Sequence, residues 1–455
     1  MNKKFTYKVG IILFLMLMLL IPLKMIHGVV DERTAYRSEA QQAIAQSWTG
    51  SQKVLGPVLV VPYTEYYKKR EWDSNLKAYQ ERRYSRSKQL LVLPETLRID
   101  GNVVTENRQR GLYSIPVYSS ALEVAGIFNN AKIQQLSKEK GKEVRWHESY
   151  LSMIVSDIRG ISEQPTVVWA GKDYVFASGS ALEQFGTGMH APLGALATDK
   201  IVSYPFSFRV HLKGMQEIQF AAVGKSTTVS IKSNWPHPSF VGRYLPTQRT
   251  IGEGSFEATW QLSSFSSDMP RLIKACEEEN CIAFLNNTFG VALFNSVDIY
   301  HQAVRSVKYA ILFISLTFIA FFLFEIMKNL RLHPMQYLLV GLSLTFFYLL
   351  LVSLSEHMPY IAAYGIAASS NVGIIAVYLG AILKSRKLAL GFSAMLSVLY
   401  MMLYAILLSE DNALLMGSLM FFAVLSMVMI VTRKIDWYEV TERLSNQSVL
   451  KTEKR

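Results

Sequence analysis

Six apolar stretches decide what this chain can become: residues 9–26, 307–327, 335–354, 361–383, 388–408 and 413–431. A hydrocarbon core about 30 Å thick is crossed by roughly 20 apolar residues in a helix. Inside that core each backbone amide must be bonded within its own segment, so all six stretches are predicted as transmembrane helices. One is N-terminal and five are C-terminal. Between them, residues 28–306 have an ordinary globular composition. The predicted organisation is a cytoplasmic start and membrane anchor (1–27), a large domain (28–306), a five-helix membrane domain (307–432) and a tail (433–455).

Charge separates the parts further. Only 18% of all residues are charged, against about 25% in a soluble domain. The net charge of +12 raises the question of a nucleic-acid partner. Residues 28–306, however, carry 31 Lys/Arg against 27 Asp/Glu, and the remainder carries 16 against 8. Most of the excess therefore lies at helix ends and in the tail, where it sets membrane orientation, and no nucleic-acid partner is expected. Lys3, Lys4 and Lys8 precede the first stretch. Lys328 and Arg331 follow the second, Lys384, Arg386 and Lys387 the fourth, and Arg433 and Lys434 the sixth. The alternate loops hold Glu356, Glu410 and Asp411 instead. By the positive-inside rule both termini are cytoplasmic and the large domain lies outside. The first stretch is long for a signal-peptide core and Ile26-His27-Gly28-Val29-Val30 offers no small-x-small cleavage pair, so an uncleaved anchor is expected.

The large domain opens with a Gly- and Pro-free segment, 31–48, predicted to extend the first helix as far as Gly50. Beyond it the apolar period becomes two. Phe206, Phe208, Val210 and Leu212 alternate with polar residues, as do Thr227, Val229 and Ile231, and Phe256, Ala258, Trp260 and Leu262. Each set reads as a strand with one buried face. Residues 166–169 and 174–177 read as a hairpin, and 57–66 and 97–105 as further strands. A β-rich, sandwich-like domain is expected. Cys276 and Cys281 are the chain's only cysteines. In an oxidising compartment they are expected to form a local disulfide. The alternative, a metal or redox pair, lacks C-x-x-C spacing and further ligands nearby.

Five local features invite functional readings. The run WPHPSF holds Trp235, Pro236, His237, Pro238 and Phe240; it reads first as a turn with Trp235 packed beneath it, the alternative being an extended recognition loop fixed by its two prolines. Residues 68–88 hold Lys68, Lys69, Arg70, Lys77, Arg82, Arg83, Arg86 and Lys88 against three acids, interleaved with Trp72, Tyr79 and Tyr84. That stretch reads as headgroup-facing or as a solvated hairpin. Asn371, beside Ser369 and Ser370, either lines a polar pathway or bonds across a helix contact among small residues. Gly224-Lys225-Ser226 lacks the earlier glycine of a phosphate-binding loop and reads as a turn, and the Gly186-Thr187-Gly188 segment as a glycine-rich loop. No histidine has metal-site spacing, and no cofactor is expected.

The runs NSVDIYHQAVRSVKYAILFISLTFIAFFLFE (295–325) and LHPMQYLLVGLSLTFFYLLLVSLSE (332–356), with IPLKMIHGVVDERTAYRSEA (21–40) and the WPHPSF segment, resemble the CreD family. These are inner-membrane proteins of Gram-negative bacteria associated with cell-envelope integrity. The resemblance implies one anchor, a large periplasmic domain and several C-terminal spans, with a role in envelope integrity or stress tolerance. It supplies no catalytic residues. The leading expectation is a non-enzymatic inner-membrane protein whose periplasmic domain binds or supports an envelope component, with membrane lipids and an envelope protein or cell-wall component as partners. Transport or lipid handling through the C-terminal helices, and a periplasmic hydrolase assembled only in the fold, are the competing readings.

Overall fold

The structure, a computed structural model, describes residues 3–73, 78–138, 143–182, 185–277, 282–293, 299–327, 332–383, 385–408 and 413–433. Its residues fall into two compact units, Glu39–Ser296 and the combination of Met1–Ser38 with Val297–Arg455.

The second of these is helical. Its long helices are α1 (Lys3–Met18), α2 (Leu20–Ser47, which runs on into the other unit), α3 (Ile299–Met327), α4 (Pro334–Ser355), α5 (Tyr360–Leu383), α6 (Arg386–Leu408) and α7 (Ala413–Thr432). The first two form one continuous rod from Tyr7 to Ser47, and that rod and α3 to α6 are long and apolar enough to cross a membrane. The apolar part of α7 is shorter, spanning Leu415–Ile430. The irregularity at Leu19 has a covalent cause: Pro22 has no N–H to give the carbonyl of Met18, one turn earlier. Along the rod Ile12, Leu15, Leu19, Leu23, Ile26 and Val30 are buried in one core with α3 to α6. Their spacing of three and four places them on one face.

The expected continuation of the first helix is present: α2 ends at Ser47, and Trp48 closes its last turn by donating its N–H to Ile44 O at 2.7 Å. The β unit then begins. β1 (Gln52–Asp73), β2 (Ala78–Val92), β3 (Thr96–Arg110) and β4 (Tyr113–Asn129) are its longest early strands. One sheet has the order Pro238–Gly242, Thr288–Leu293, Glu217–Ala221, β1, Ser149–Val155, Met189–Gly194, Ala177–Ser178, with β2 and Glu143–Trp146 also paired to β1. The other runs Gln248–Ile251, Phe256–Ser263, Ser226–Ser233, β3, β4, Ser203–Met215, Thr166–Trp169, Lys172–Val175. Pairing is parallel between β1 and Glu217–Ala221 and between Ser226–Ser233 and β3.

The inward faces of both sheets share one core, in which Phe206, Phe208, Val210, Leu212, Val229, Ile231, Phe256, Ala258 and Trp260 are all buried. The sandwich and its alternating strands are thus as the sequence predicts. One detail differs. The hairpin closes at Trp169↔Lys172, leaving a two-residue turn, Ala170-Gly171, with φ of 47° and 80°. Both positive angles suit the tight primed turn that matches strand twist, so the second strand starts two residues before the predicted 174–177.

Candidate functional site

The basic stretch becomes the outer part of a long hairpin. β1 and β2 pair continuously from Leu59↔Val92 to Asp73↔Ala78, whereas Glu143–Trp146 covers β1 only as far as Tyr66. From Tyr67↔Tyr84 onward the two strands are paired only with each other among the described residues, over about 20 Å at about 3.4 Å per residue. Such a ribbon is marginal in water unless side chains brace it. Tyr67 stacks on Tyr84 at 5.9 Å, and Trp72 meets Tyr79 edge-on at 5.2 Å. Lys68 and Arg70 reach Glu81 at 3.2 and 3.6 Å, Lys69 reaches Glu71 at 3.3 Å, and Lys88 reaches Glu65 at 2.6 Å. Arg83 joins Glu143 on the third strand at 2.5 Å and lies 4.6 Å over the Tyr66 ring. The Tyr84 hydroxyl, then Lys69, holds the Glu71 carboxyl below its usual range, and Lys68 does the same for Glu81. Arg82 and Arg86 are exposed on β2.

The WPHPSF run does not present two aromatics to solvent. Trp235 is 8% exposed and donates its indole N–H to His237 O at 3.1 Å. Phe240 packs edge-on against Phe256 and Trp260 at 6.2 and 5.8 Å. The reason is register: Pro238–Gly242 is the outermost strand of its sheet, paired to Thr288–Leu293, and its alternation turns Phe240 into the core. His237 is exposed, and Pro236 and Pro238 half-buried. Of the two candidate cysteines, Cys276 is buried and disulfide-bonded; Cys281 lies outside the described residues.

In the helical unit Asn371 is buried at the meeting of three helices. Its amide donates to Ser343 O and Ser343 Oγ of α4 at 2.5 and 2.9 Å, and its Oδ1 accepts from the Tyr400 hydroxyl of α6 at 3.1 Å. Tyr364 donates to the Tyr400 carbonyl at 2.7 Å. Beside this network a groove of about 570 Å³ runs between α5 and α6, lined by Tyr364, Gly365, Ser369, Gly373, Tyr400 and Tyr404 among others.

Four sites escaped the sequence. Glu325, near the end of α3, is only 4% exposed. It pairs with Lys8 of α1, accepts from the Tyr337 hydroxyl at 2.8 Å and from the Leu332 N–H at 3.0 Å; Lys328 lies outside the described residues. Toward the other end of the same rod Arg33 pairs with Glu356 at 3.4 Å. The HPMQ run that carries the family resemblance is an N-cap. His333 Nδ1 accepts from Met335 N–H at 3.2 Å, Gln336 returns a bond to the His333 N–H at 3.0 Å, and Pro334 takes the first helical position.

The fourth lies where α2 enters the β unit. Arg159 donates to the carbonyls of Gln46 and Ala45 at 2.8 and 3.2 Å, placing a cation on the helix C-terminus. The same guanidinium binds Asp157 at 2.6 Å, and this contact, with the Gly50 N–H, holds the Asp157 carboxyl below its usual range. Buried Gln52 donates to Asp157 O and Lys213 O at 3.0 and 2.9 Å. These partners stand more than a hundred residues apart, so only a correct strand pairing reveals them. Among the described residues no group of three or more His, Cys, Asp or Glu is placed to hold a metal ion. Gly224-Lys225-Ser226 is a turn, closed by Gly224 N–H on Thr227 Oγ1 at 2.9 Å.

A bundle of apolar helices joined by chain to a two-sheet β unit defines a multi-span membrane protein. The chain belongs to the CreD family: the family model described as inner membrane protein CreD matches residues 4–438. It is 37% identical over 422 residues to the inner membrane protein CreD of Escherichia coli (strain K12), a match covering 93% of this chain and 91% of that protein.

Proposed function

We propose that this inner-membrane protein supports cell-envelope integrity without catalysing a reaction, its β unit lying outside the cytoplasm and binding an envelope component. The observation that carries the reading is the shape of that unit. Both sheets spend their apolar faces on one shared core, and the β1–β2 ribbon extends beyond its neighbouring strand as an aromatic and basic arm. A filled sandwich with a projecting arm suits binding better than turnover. The alternation of Lys/Arg-bearing and acidic loops supports the outward placement of the unit. The test is expression of the chain in a Gram-negative strain lacking its own relative, scored for survival under envelope-active agents. Alkaline phosphatase fusions within 28–306 report the side of the membrane. Restored survival and active fusions are expected; turnover of a cell-wall or lipid substrate by the purified chain would overturn the reading.

A second reading, lipid handling by the helical unit, is favoured by the groove between α5 and α6. Substituting Ser369→Leu, on the groove wall, separates the two: it abolishes function only if the groove is occupied in the working protein.

A further inference from the structure

The two faces of the ribbon can be assigned from its register, because side chains alternate along each strand and directly paired residues share a face. Lys68, Arg70 and Trp72 lie with Tyr79, Glu81 and Arg83 on one face. Tyr67, Lys69 and Glu71 lie with Gln80, Arg82 and Tyr84 on the other, joined further back by Arg86. Cations therefore surround the ribbon on both faces. Across 67–73 and 78–86 there are six Lys/Arg against three Asp/Glu. Nearest the far end, Trp72 and Tyr79 remain 57% and 70% exposed even while packed on each other.

A partner protein that docks on a hairpin covers one face and has little use for cations on the other. A headgroup layer has no fixed shape. It offers phosphates all round an inserted rod and a boundary at which Trp and Tyr rings are preferred. Basic residues beside an anionic bilayer gain from its surface potential. The side-chain bracing of the ribbon supplies the stiffness to present its end to such a surface.

We propose that the outer β1–β2 ribbon binds a bilayer surface rich in anionic phospholipid, with Trp72 and Tyr79 in the headgroup layer and Lys68, Lys69, Arg70, Arg82 and Arg86 on the phosphates. This deepens the functional reading above by naming the envelope component, and rests on it only for its biological meaning.

The test uses the full chain in phosphatidylcholine nanodiscs, with Gln80→Cys carrying an environment-sensitive dye. Phosphatidylglycerol is introduced either into the disc or in added vesicles, so that the protein's own bilayer and an opposed one are told apart. A blue shift of dye emission in either arm, absent with phosphatidylcholine alone, is expected. Arg82→Gln with Arg86→Gln keeps both aromatic pairs and the Lys68 and Arg70 bonds to Glu81, and is expected to weaken vesicle partitioning roughly thirty-fold, at about five-fold per charge. Trp72→Ala with Tyr79→Ala is expected to remove the blue shift at lipid concentrations that saturate the unsubstituted ribbon. No shift in either arm, an equal shift without phosphatidylglycerol, or a shift with a soluble anionic glycan but not with vesicles overturns the proposal. The dye is read on purified protein. A silent ribbon in a chain that still restores envelope tolerance therefore defeats this inference alone, and a responsive ribbon in a chain that restores none defeats the functional reading alone.

Discussion

Replacing Asn371 by Leu removes three hydrogen bonds that tie α5 to α4 and α6: two donated to Ser343 and one accepted from Tyr400. Inter-helix bonds in a membrane average about 0.6 kcal/mol, because the dissociated helices find other partners there. Three of them give an expected loss of about 2 kcal/mol. Tyr400→Phe removes only the third and keeps the ring packed against Phe313 and Phe347, both at 4.6 Å. The bond that Tyr400 accepts from Tyr364 is on its backbone and survives too. A double-mutant cycle of Asn371→Ala with Tyr400→Phe, measured by denaturing-detergent unfolding in mixed micelles, should therefore return a coupling of about 0.6 kcal/mol and no more than about 1.7 kcal/mol. Envelope tolerance should fall only as far as folded protein falls. Zero coupling would refute the assigned bond. Lost tolerance at unchanged stability would refute the helix-contact role and place Asn371 in a polar pathway.

Three further outcomes are expected. In α4, a Cβ on Gly341 would overlap Leu19 of the first rod and lie 2.8 Å from Phe318 Cζ, so Gly341→Val should cost about 1–3 kcal/mol in the same unfolding assay, the usual cost of overpacking. Lys8→Met leaves buried Glu325 without its cation and should cost about 3–5 kcal/mol, with Glu325→Gln restoring much of it; equal stability of the single and double variants would remove the pair's importance. Asp157 has a folded-state pKa below its ordinary 3.8, so its bonds stabilise the β unit fully above that value. The contribution fades as pH falls through the lower folded value, where the proton binds the unfolded chain more readily. Thermal unfolding followed from pH 5 downward should show a shallower acid loss for Asp157→Asn, and an unchanged slope would rule the residue out.

The extent to which sequence reveals this molecule follows the range of the interactions. Helices in a membrane are dictated by each segment's own backbone, so every stretch from 9–26 to 413–431 lies in a described helix. Strands with one buried face carry their period internally, and Phe206, Phe208, Val210 and Leu212 all point inward as that period demands. Pairing is another matter. The basic run at 68–88 is plain as composition, but nothing local shows that Trp72 faces Tyr79 or that Lys68 lies opposite Arg83. The WPHPSF run shows the same limit, because its prolines are a local signal and the inward turn of Phe240 is set by Thr288–Leu293, about fifty residues away. Likewise nothing local shows that Glu325 pairs with Lys8, more than three hundred residues earlier.

That last pairing changes what the first helix is. A passive anchor would need only apolar surface, yet this rod carries Lys8 toward one end and Arg33 toward the other, each matched by a carboxylate of the later helices. Twenty-five residues of helix separate the two cations by about 38 Å, close to the thickness of a bilayer with its headgroup layers. Between them Leu15, Leu19, Leu23 and Ile26 form the buried face, and Gly341 gives Leu19 its place. Ion pairs at both levels and a seam between them fix rotation, depth and partner at once. Removing the rod would take Lys8 from Glu325 and Arg33 from Glu356 and open the core of the bundle. The first helix is therefore a structural member of the membrane unit, and the long chain segment between it and α3 is an insertion into that unit.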